Sequence, residues 1–201
     1  MGMTKLDIWN SALQRIGAES VADEWTESKE AVLCRRYYDN AVNIILRAHP
    51  WNFATRRIAL PLNATAPAFG WSKAFDLPID YVSMISLADP TDIYTIESGQ
   101  VLTNAVNGNC KYIAEQPDPT RIPSDVTRCI VLQLASDMAM NLSNSAGISD
   151  RLLNELEQAA LPRARQANTY EVNIDPEIGG WASFDEPPMF HSEVASYVES
   201  L

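Results

Sequence analysis

The sequence predicts an α+β fold, in which a four-helix bundle carries a small antiparallel β-domain inserted between helices 2 and 3 and ends in an extended C-terminal tail. Apolar residues recur at helical spacing before about residue 50 and after about residue 124. The segment between them has short alternating runs separated by turns. The last thirty residues have prolines, paired glycines and scattered aromatics without periodicity. The predicted domains are residues 1–57 together with 118–170, residues 58–117, and residues 171–201.

The first two helices have recognisable ends. Thr4 followed by Asp7 has the spacing of a capping box, and Gly17 suits a left-handed stop, so helix 1 is predicted over about 4 to 16. Helix 2 begins near Ser28 and ends before Pro50, because the residue preceding a proline avoids helical angles. Its apolar seam consists of Ala31, Cys34, Tyr38, Ala41, Ile45 and Ala48.

The middle of the chain predicts a small antiparallel sheet. IYTIE and QVLTN flank Ser98-Gly99, which is typical of a hairpin with a two-residue turn. Asn107-Gly108 predicts a second turn of the same kind, and YVSMISL predicts a further strand.

Two helices are predicted after this sheet. The segment from about 124 to 144 is apolar nearly all round, which indicates burial on several sides. Ser149-Asp150 is expected to cap a fourth helix, which Pro162 kinks or restarts before it ends near residue 170.

Composition excludes several classes of protein. The net charge is −11, and residues 171–201 hold seven acidic residues and no Lys or Arg. A protein that binds DNA tightly has the opposite charge, because Lys and Arg neutralise the phosphates. Cys34, Cys110 and Cys129 lie far apart, so neither a disulfide framework nor a zinc site is expected, and we predict a reduced protein without cofactor or metal. The N-terminus has no signal-peptide pattern and no run is apolar enough for a membrane helix.

The segment RAHPWNFATRR, residues 47 to 57, is the main candidate site. His49 lacks a visible nucleophile partner, and a histidine at a helix C-terminus more often has a capping role. Trp51 and Phe53, after Pro50, could stack on bases, but folding back onto the helix as a corner plug is favoured. The basic residues of this region are either a solvated face or a surface that meets an acidic tail on another copy. They are Arg35, Arg36, Arg47, Arg56 and Arg57.

The carboxylates and the tail leave two questions open. Glu155/Glu157 or Asp185/Glu186 could be proposed as an acid–base pair, but only adjacency favours either pair. The tail is either a solubilising segment or one that docks on a partner, and its many apolar residues favour docking. These anchors are Ile174, Ile178, Trp181, Phe184, Met189, Phe190 and Tyr197.

Four stretches of the chain are IWNSALQRIGAES, CRRYYDNAVNIILRAHPWNFATRRIAL, WSKAFDLPIDYVSM and YTIESGQVLTN. Together they resemble the tail tubular protein A family, the head-to-tail adaptors of short-tailed bacteriophages. The matching features are a helix ending at Gly17, the His-Pro-Trp-Asn-Phe-Ala of His49 to Ala54, and a Phe-x-Leu-Pro-x-Asp step from Phe75 to Asp80. The resemblance covers about residues 5 to 135, and its most specific part is the His-Pro-Trp segment.

The resemblance implies a virion protein that forms a ring of about twelve copies under the portal. Such a ring binds the portal protein, is the platform for the nozzle and other tail proteins, and lets double-stranded DNA pass without reading its sequence. It implies assembly in the host cytoplasm and no contact with a membrane. The interface residues expected are the basic residues Arg35, Arg36, Arg56 and Arg57 and the tail anchors. A peptidoglycan hydrolase carried on the tail is the alternative, and a monomeric DNA-binding module is a third hypothesis that the charge disfavours.

Overall fold

The computed structural model describes residues 2–116, 118–143 and 146–171. Over these residues the fold is mixed α+β, with helices at both ends of the sequence and two small antiparallel sheets between them. The helices are α1 (Lys5–Ile16), α2 (Lys29–Arg47), α3 (Ser124–Leu142), α4 (Ala146–Glu155) and α5 (Leu161–Tyr170). The strands are β1 (Thr55–Ala59), β2 (Lys73–Asp76), β3 (Tyr81–Leu87), β4 (Tyr94–Glu97), β5 (Gln100–Thr103) and β6 (Asn109–Ala114).

The ends of α1 and α2 form as the sequence predicts. Thr4 and Asp7 form a complete capping box, since the Thr4 hydroxyl accepts from the Asp7 amide at 3.2 Å and the Asp7 carboxylate accepts from the Thr4 amide at 2.9 Å. Gly17 has φ +73° and closes α1 in the left-handed region. Ser28 caps α2 through the Ala31 amide at 3.2 Å. The Ser28 hydroxyl thus provides the acceptor that the Ala31 amide lacks within the first turn of α2.

Helix α3 is the central element of the main apolar core. It packs against α1, α2 and α4, and twelve of its residues are buried. This explains a sequence that is apolar nearly all round, since each side of the helix faces another element. Trp9 of α1 lies in the same core, with its ring edge-on to Tyr38 at 6.3 Å between centroids.

The fourth helix differs from the prediction both where it begins and in its middle. Helix α4 already begins at Ala146, so Ser149 is not its cap; its hydroxyl lies 2.9 Å from the Ser136 hydroxyl and ties α4 to α3. Residues Leu156–Ala160 form a π-turn before α5. Pro162 lacks an N–H and its ring would collide with a carbonyl one α-turn back, so a wider turn lets the helix continue through it.

The strands form two three-stranded antiparallel sheets rather than one. Sheet A has the order β1-β6-β3, and sheet B has the order β2-β5-β4. Ser98 and Gly99, with φ +49° and +76°, form the predicted two-residue turn between β4 and β5. Val82 and Ile113 of sheet A join the helical core, whereas Cys110 and Tyr112 join a second core shared with Phe75 and Val101 of sheet B.

The prediction of a hairpin turn at Asn107-Gly108 is wrong. Strand β6 pairs with β1 and β3, so the chain crosses from sheet B to sheet A at this point. Gly108 has another role there: a Cβ on it would lie 2.4 Å from the Phe75 ring. Its carbonyl also accepts from the Leu60 amide at 3.0 Å. The glycine therefore permits close packing, and sequence alone does not distinguish this from a turn.

Candidate functional site

The segment from His49 to Ala54 forms a buried corner between α2 and β1. The Trp51 side chain is fully buried, and its indole N–H donates to the Ile45 carbonyl at 2.8 Å. That carbonyl lies in the last turn of α2 and also accepts from the Ala48 amide at 3.2 Å. Phe53 is half-buried, with its ring 6.4 Å from that of Trp51, and a short 3₁₀ turn (Asn52–Ala54) leads into β1. Pro50 is exposed at the outside of this corner.

Helix α5 holds the corner from the other side. The Asn52 amide donates to Asn168 Oδ1 at 2.8 Å, and Asn52 Nδ2 donates to the Asn168 carbonyl at 2.7 Å. Arg165 donates to the Ala48 carbonyl at 2.9 Å. These partners lie more than a hundred positions away in the chain, and nothing in the sequence pattern pointed to them. The corner therefore fixes α2, β1 and α5 relative to one another.

His49 is part of this network. Its Nε2 lies 3.1 Å from Asn168 Nδ2, and its ring meets Trp51 edge-on at 4.8 Å between centroids. Desolvation, and then the nearby Arg165 guanidinium, lower the pKa of His49 below its usual value. The neutral ring is thus the favoured form at neutral pH, and it can accept the hydrogen bond from the Asn168 amide.

The basic residues of the region do not form one cluster. Arg35 lies in the middle of α2 and donates to the carbonyls of Glu24 and Thr26, which fastens the loop before that helix. Arg47 donates to the Val82 carbonyl at 2.7 Å and thereby joins α2 to β3. Arg36 is exposed on α2, and it has no ion pair among the described residues.

Arg56 and Arg57 lie on β1, an edge strand of sheet A, and point to opposite faces. Arg56 pairs with Asp80 at 2.5 Å, and the Tyr112 hydroxyl donates to the same carboxylate at 3.1 Å. Arg57 is exposed and lies directly opposite Lys111 on β6. Like charges in directly opposed positions destabilise a sheet. The structure thus brings together a basic pair in which the sequence indicated only Arg57.

An open cleft of 420 Å³ adjoins this basic pair. Its lining includes Arg57, Lys111, Ser86, Asn109 and Pro90, and it includes no acidic side chain from the described residues. Neither Arg57 nor Lys111 has a side-chain ion pair within that part of the chain. Two uncompensated cations beside a cleft favour an anionic partner.

The carboxylate candidates have other environments. Glu155 Oε1 accepts from Arg128 at 2.8 Å and lies 3.4 Å from Arg15. The Arg128 hydrogen bond is the main cause that lowers the pKa of Glu155, which favours the ionised form over a proton donor. Glu157 is exposed in the π-turn. No group of three His, Cys, Asp or Glu residues that could hold a metal is found among the described residues.

The remaining sequence-predicted residues lie outside the part of the chain that the structure describes. They are Ile174, Ile178, Trp181, Phe184, Phe190 and Tyr197, together with Asp185 and Glu186. Within the described ranges, no helix is both long enough and apolar enough to cross a membrane. No protein-family model and no curated protein matches the chain.

Proposed function

We propose that this chain is a structural head-to-tail adaptor of a bacteriophage virion. Copies of it form a ring of about twelve subunits that binds the portal protein. The ring is the platform on which the nozzle and other tail proteins assemble, and the genome passes through its lumen. The protein acts at the head–tail junction after assembly in the host cytoplasm, and its function is to hold a shape.

The buried corner is the observation that carries this proposal. The segment His49 to Ala54 is the most specific part of the resemblance to the tail tubular protein A family, and it turns the chain from α2 into β1. Fully buried Trp51 and the double hydrogen bond between Asn52 and Asn168 hold that turn. A motif whose physical effect is to fix the angle between helices and sheet supports a protein that works through its shape.

The proposal includes the finer architecture of the fold. The helices form a four-helix bundle in which α4 and α5 count as one helix, and the strands form a β-domain inserted between α2 and α3. The bundle and β-domain boundary expected at residues 57/58 falls inside β1 (Thr55–Ala59), so we place it at the corner before β1. Residues 171–201 are the extended tail of the adaptor.

Charge supports a conduit for DNA. The chain carries a net charge of −11, and an acidic protein does not grip phosphates. A ring with an acidic lumen repels the duplex and keeps its sliding easy during packaging and ejection.

The candidate interface residues divide according to their contacts. Arg35 and Arg56 already have partners within the chain, so their effect on assembly is indirect. Arg36 and Arg57 are exposed without such partners among the described residues, and we assign them to contacts with the portal or a neighbouring subunit. The apolar anchors of the tail, from Trp181 to Tyr197, are assigned to the portal.

Electron microscopy of the protein mixed with portal rings tests the proposal. We expect a ring of added density on one face of the portal, and a chain lacking residues 171–201 should keep its helical circular dichroism yet lose this binding. Unimpaired binding by the shortened chain would refute the role of the tail. A protein that stays solitary beside portal rings and clears peptidoglycan in a zymogram would replace the adaptor with a hydrolase.

A further inference from the structure

The outer edge of β1 has backbone groups that no strand among the described residues pairs with. The Leu60 amide donates to the Gly108 carbonyl at the end of the β1–β6 ladder. Hydrogen-bonded positions alternate along an antiparallel strand, so the amides and carbonyls of Arg57 and Ala59 point away from β6. Within the described ranges β1 pairs with β6 alone, and its residues from Arg56 to Ala59 are exposed. Such an edge is a template for an additional strand.

The two faces of β1 differ in chemistry. One face presents Arg57 beside Lys111 and the cleft that adjoins them. The other face presents Ile58, which is 40% exposed, next to Arg56, whose charge Asp80 already neutralises. A strand added at this edge therefore needs acidic side chains on one face and an apolar side chain on the other.

Glu171 ends α5 in a helical conformation, and the sequence VNID, residues 172 to 175, which follows it, has this pattern. In an extended strand, Asp175 would share one face with Asn173, and the β-branched residues Val172 and Ile174 would share the other. Pro176 follows Asp175 at once, where a proline ends a strand. The acidic residues that follow up to the C-terminus add negative charge without any Lys or Arg.

We propose that β1 and the basic pair Arg57–Lys111 are the docking site for residues 172–178 of a second copy of this chain. The segment adds to sheet A as a strand at the β1 edge, so that its carboxylates lie beside the two cations and its β-branched side chains beside Ile58. This contact is heterologous, because two different surfaces of the chain meet in it. Heterologous contacts link each copy to the next and can close into a ring. The inference rests on the proposed function only in taking a ring as the assembled state.

Disulfide trapping between two differently marked full-length chains tests the contact. One chain carries Ala59→Cys and the other Asn173→Cys; the native Cys34, Cys110 and Cys129 are all buried and compete little. After oxidation at rising protein concentration, we expect a covalent dimer that contains one chain of each kind. Absence of that mixed dimer, or an equal yield of dimers between two chains of the same kind, would overturn the proposal.

Charge variants show whether the basic pair is responsible. Adding Arg57→Glu and Lys111→Glu to the first chain should reduce the dimer yield about tenfold, and Asp175→Arg with Glu177→Arg in the second chain should restore most of it. Arg151→Glu, at an exposed arginine of α4, is the matched control and should leave the yield unchanged. An equal loss from the control, or no rescue by the swapped charges, would contradict the site.

Portal binding separates this inference from the proposed function. A protein that binds portal rings but gives no mixed dimer would remove the inference and keep the adaptor. A mixed dimer with the expected charge dependence from a protein that ignores portal rings would keep the docking site and remove the adaptor.

Discussion

Replacing Trp51 with alanine removes the side chain that fills the corner between α2 and β1. A fully buried tryptophan removes roughly 150–250 Å² from water. At about 25 cal/mol per Å², that area is worth about 4–6 kcal/mol of unfolding free energy. Trp→Ala substitutions in cores cost about 3–5 kcal/mol, so we expect a loss of about 4 kcal/mol for Trp51→Ala. This is a large fraction of the stability of an ordinary domain.

Trp51→Phe separates the hydrogen bond from the packing. It keeps most of the apolar volume but removes the indole N–H that donates to the Ile45 carbonyl at 2.8 Å, so a loss of about 1–2 kcal/mol is expected. Trp25→Ala is the matched control, because that side chain is 84% exposed and its loss should change stability by less than about 0.5 kcal/mol.

Urea unfolding followed by far-ultraviolet circular dichroism measures all three variants with an unchanged spectroscopic probe. The expected order of destabilisation is Trp51→Ala, then Trp51→Phe, then Trp25→Ala. A loss below about 1 kcal/mol for Trp51→Ala, or a loss for Trp25→Ala that equals it, would refute the argument that the corner is held by burial.

Three further predictions concern side chains with defined partners. Burial raises the pKa of Asp137, so the native state binds a proton more tightly than the unfolded chain does. Stability therefore falls as the pH rises above the ordinary carboxyl pKa. Asp137→Asn should increase stability at pH 7 by up to about 1 kcal/mol, and this gain, measured by urea unfolding, should shrink toward pH 4. A gain that stays constant over this range would count against the raised pKa. Asn168→Ala should cost about 1–3 kcal/mol because it leaves the Asn52 amide unpaired, and hydrogen exchange should show faster opening at the corner, whereas Gln166→Ala on the exposed side of α5 should change neither. Thr4→Ala should cost about 1 kcal/mol through the lost capping box while Thr4→Ser retains it; equal stability of the two in thermal unfolding would contradict the cap.

The sequence alone determined the features that depend on neighbouring residues. Thr4, Gly17 and Ser28 act on backbone groups within one helical turn, so their positions fix the ends of α1 and α2. The hairpin at Ser98-Gly99 is local for the same reason, because the turn must supply two positive φ angles. The apolar surround of α3 likewise predicted a helix buried on several sides.

Only the tertiary structure decided which distant segments meet. Gly108 has the sequence signature of a turn, yet it lies against Phe75 where the chain changes sheets. Asn168 and Arg165 hold the corner from α5, and Lys111 faces Arg57 only because β6 pairs with β1. Strand pairing and corner contacts join residues tens to more than a hundred positions apart, and their free energy depends on the whole packed core. Local propensity and periodicity therefore do not predict which distant residues come into contact.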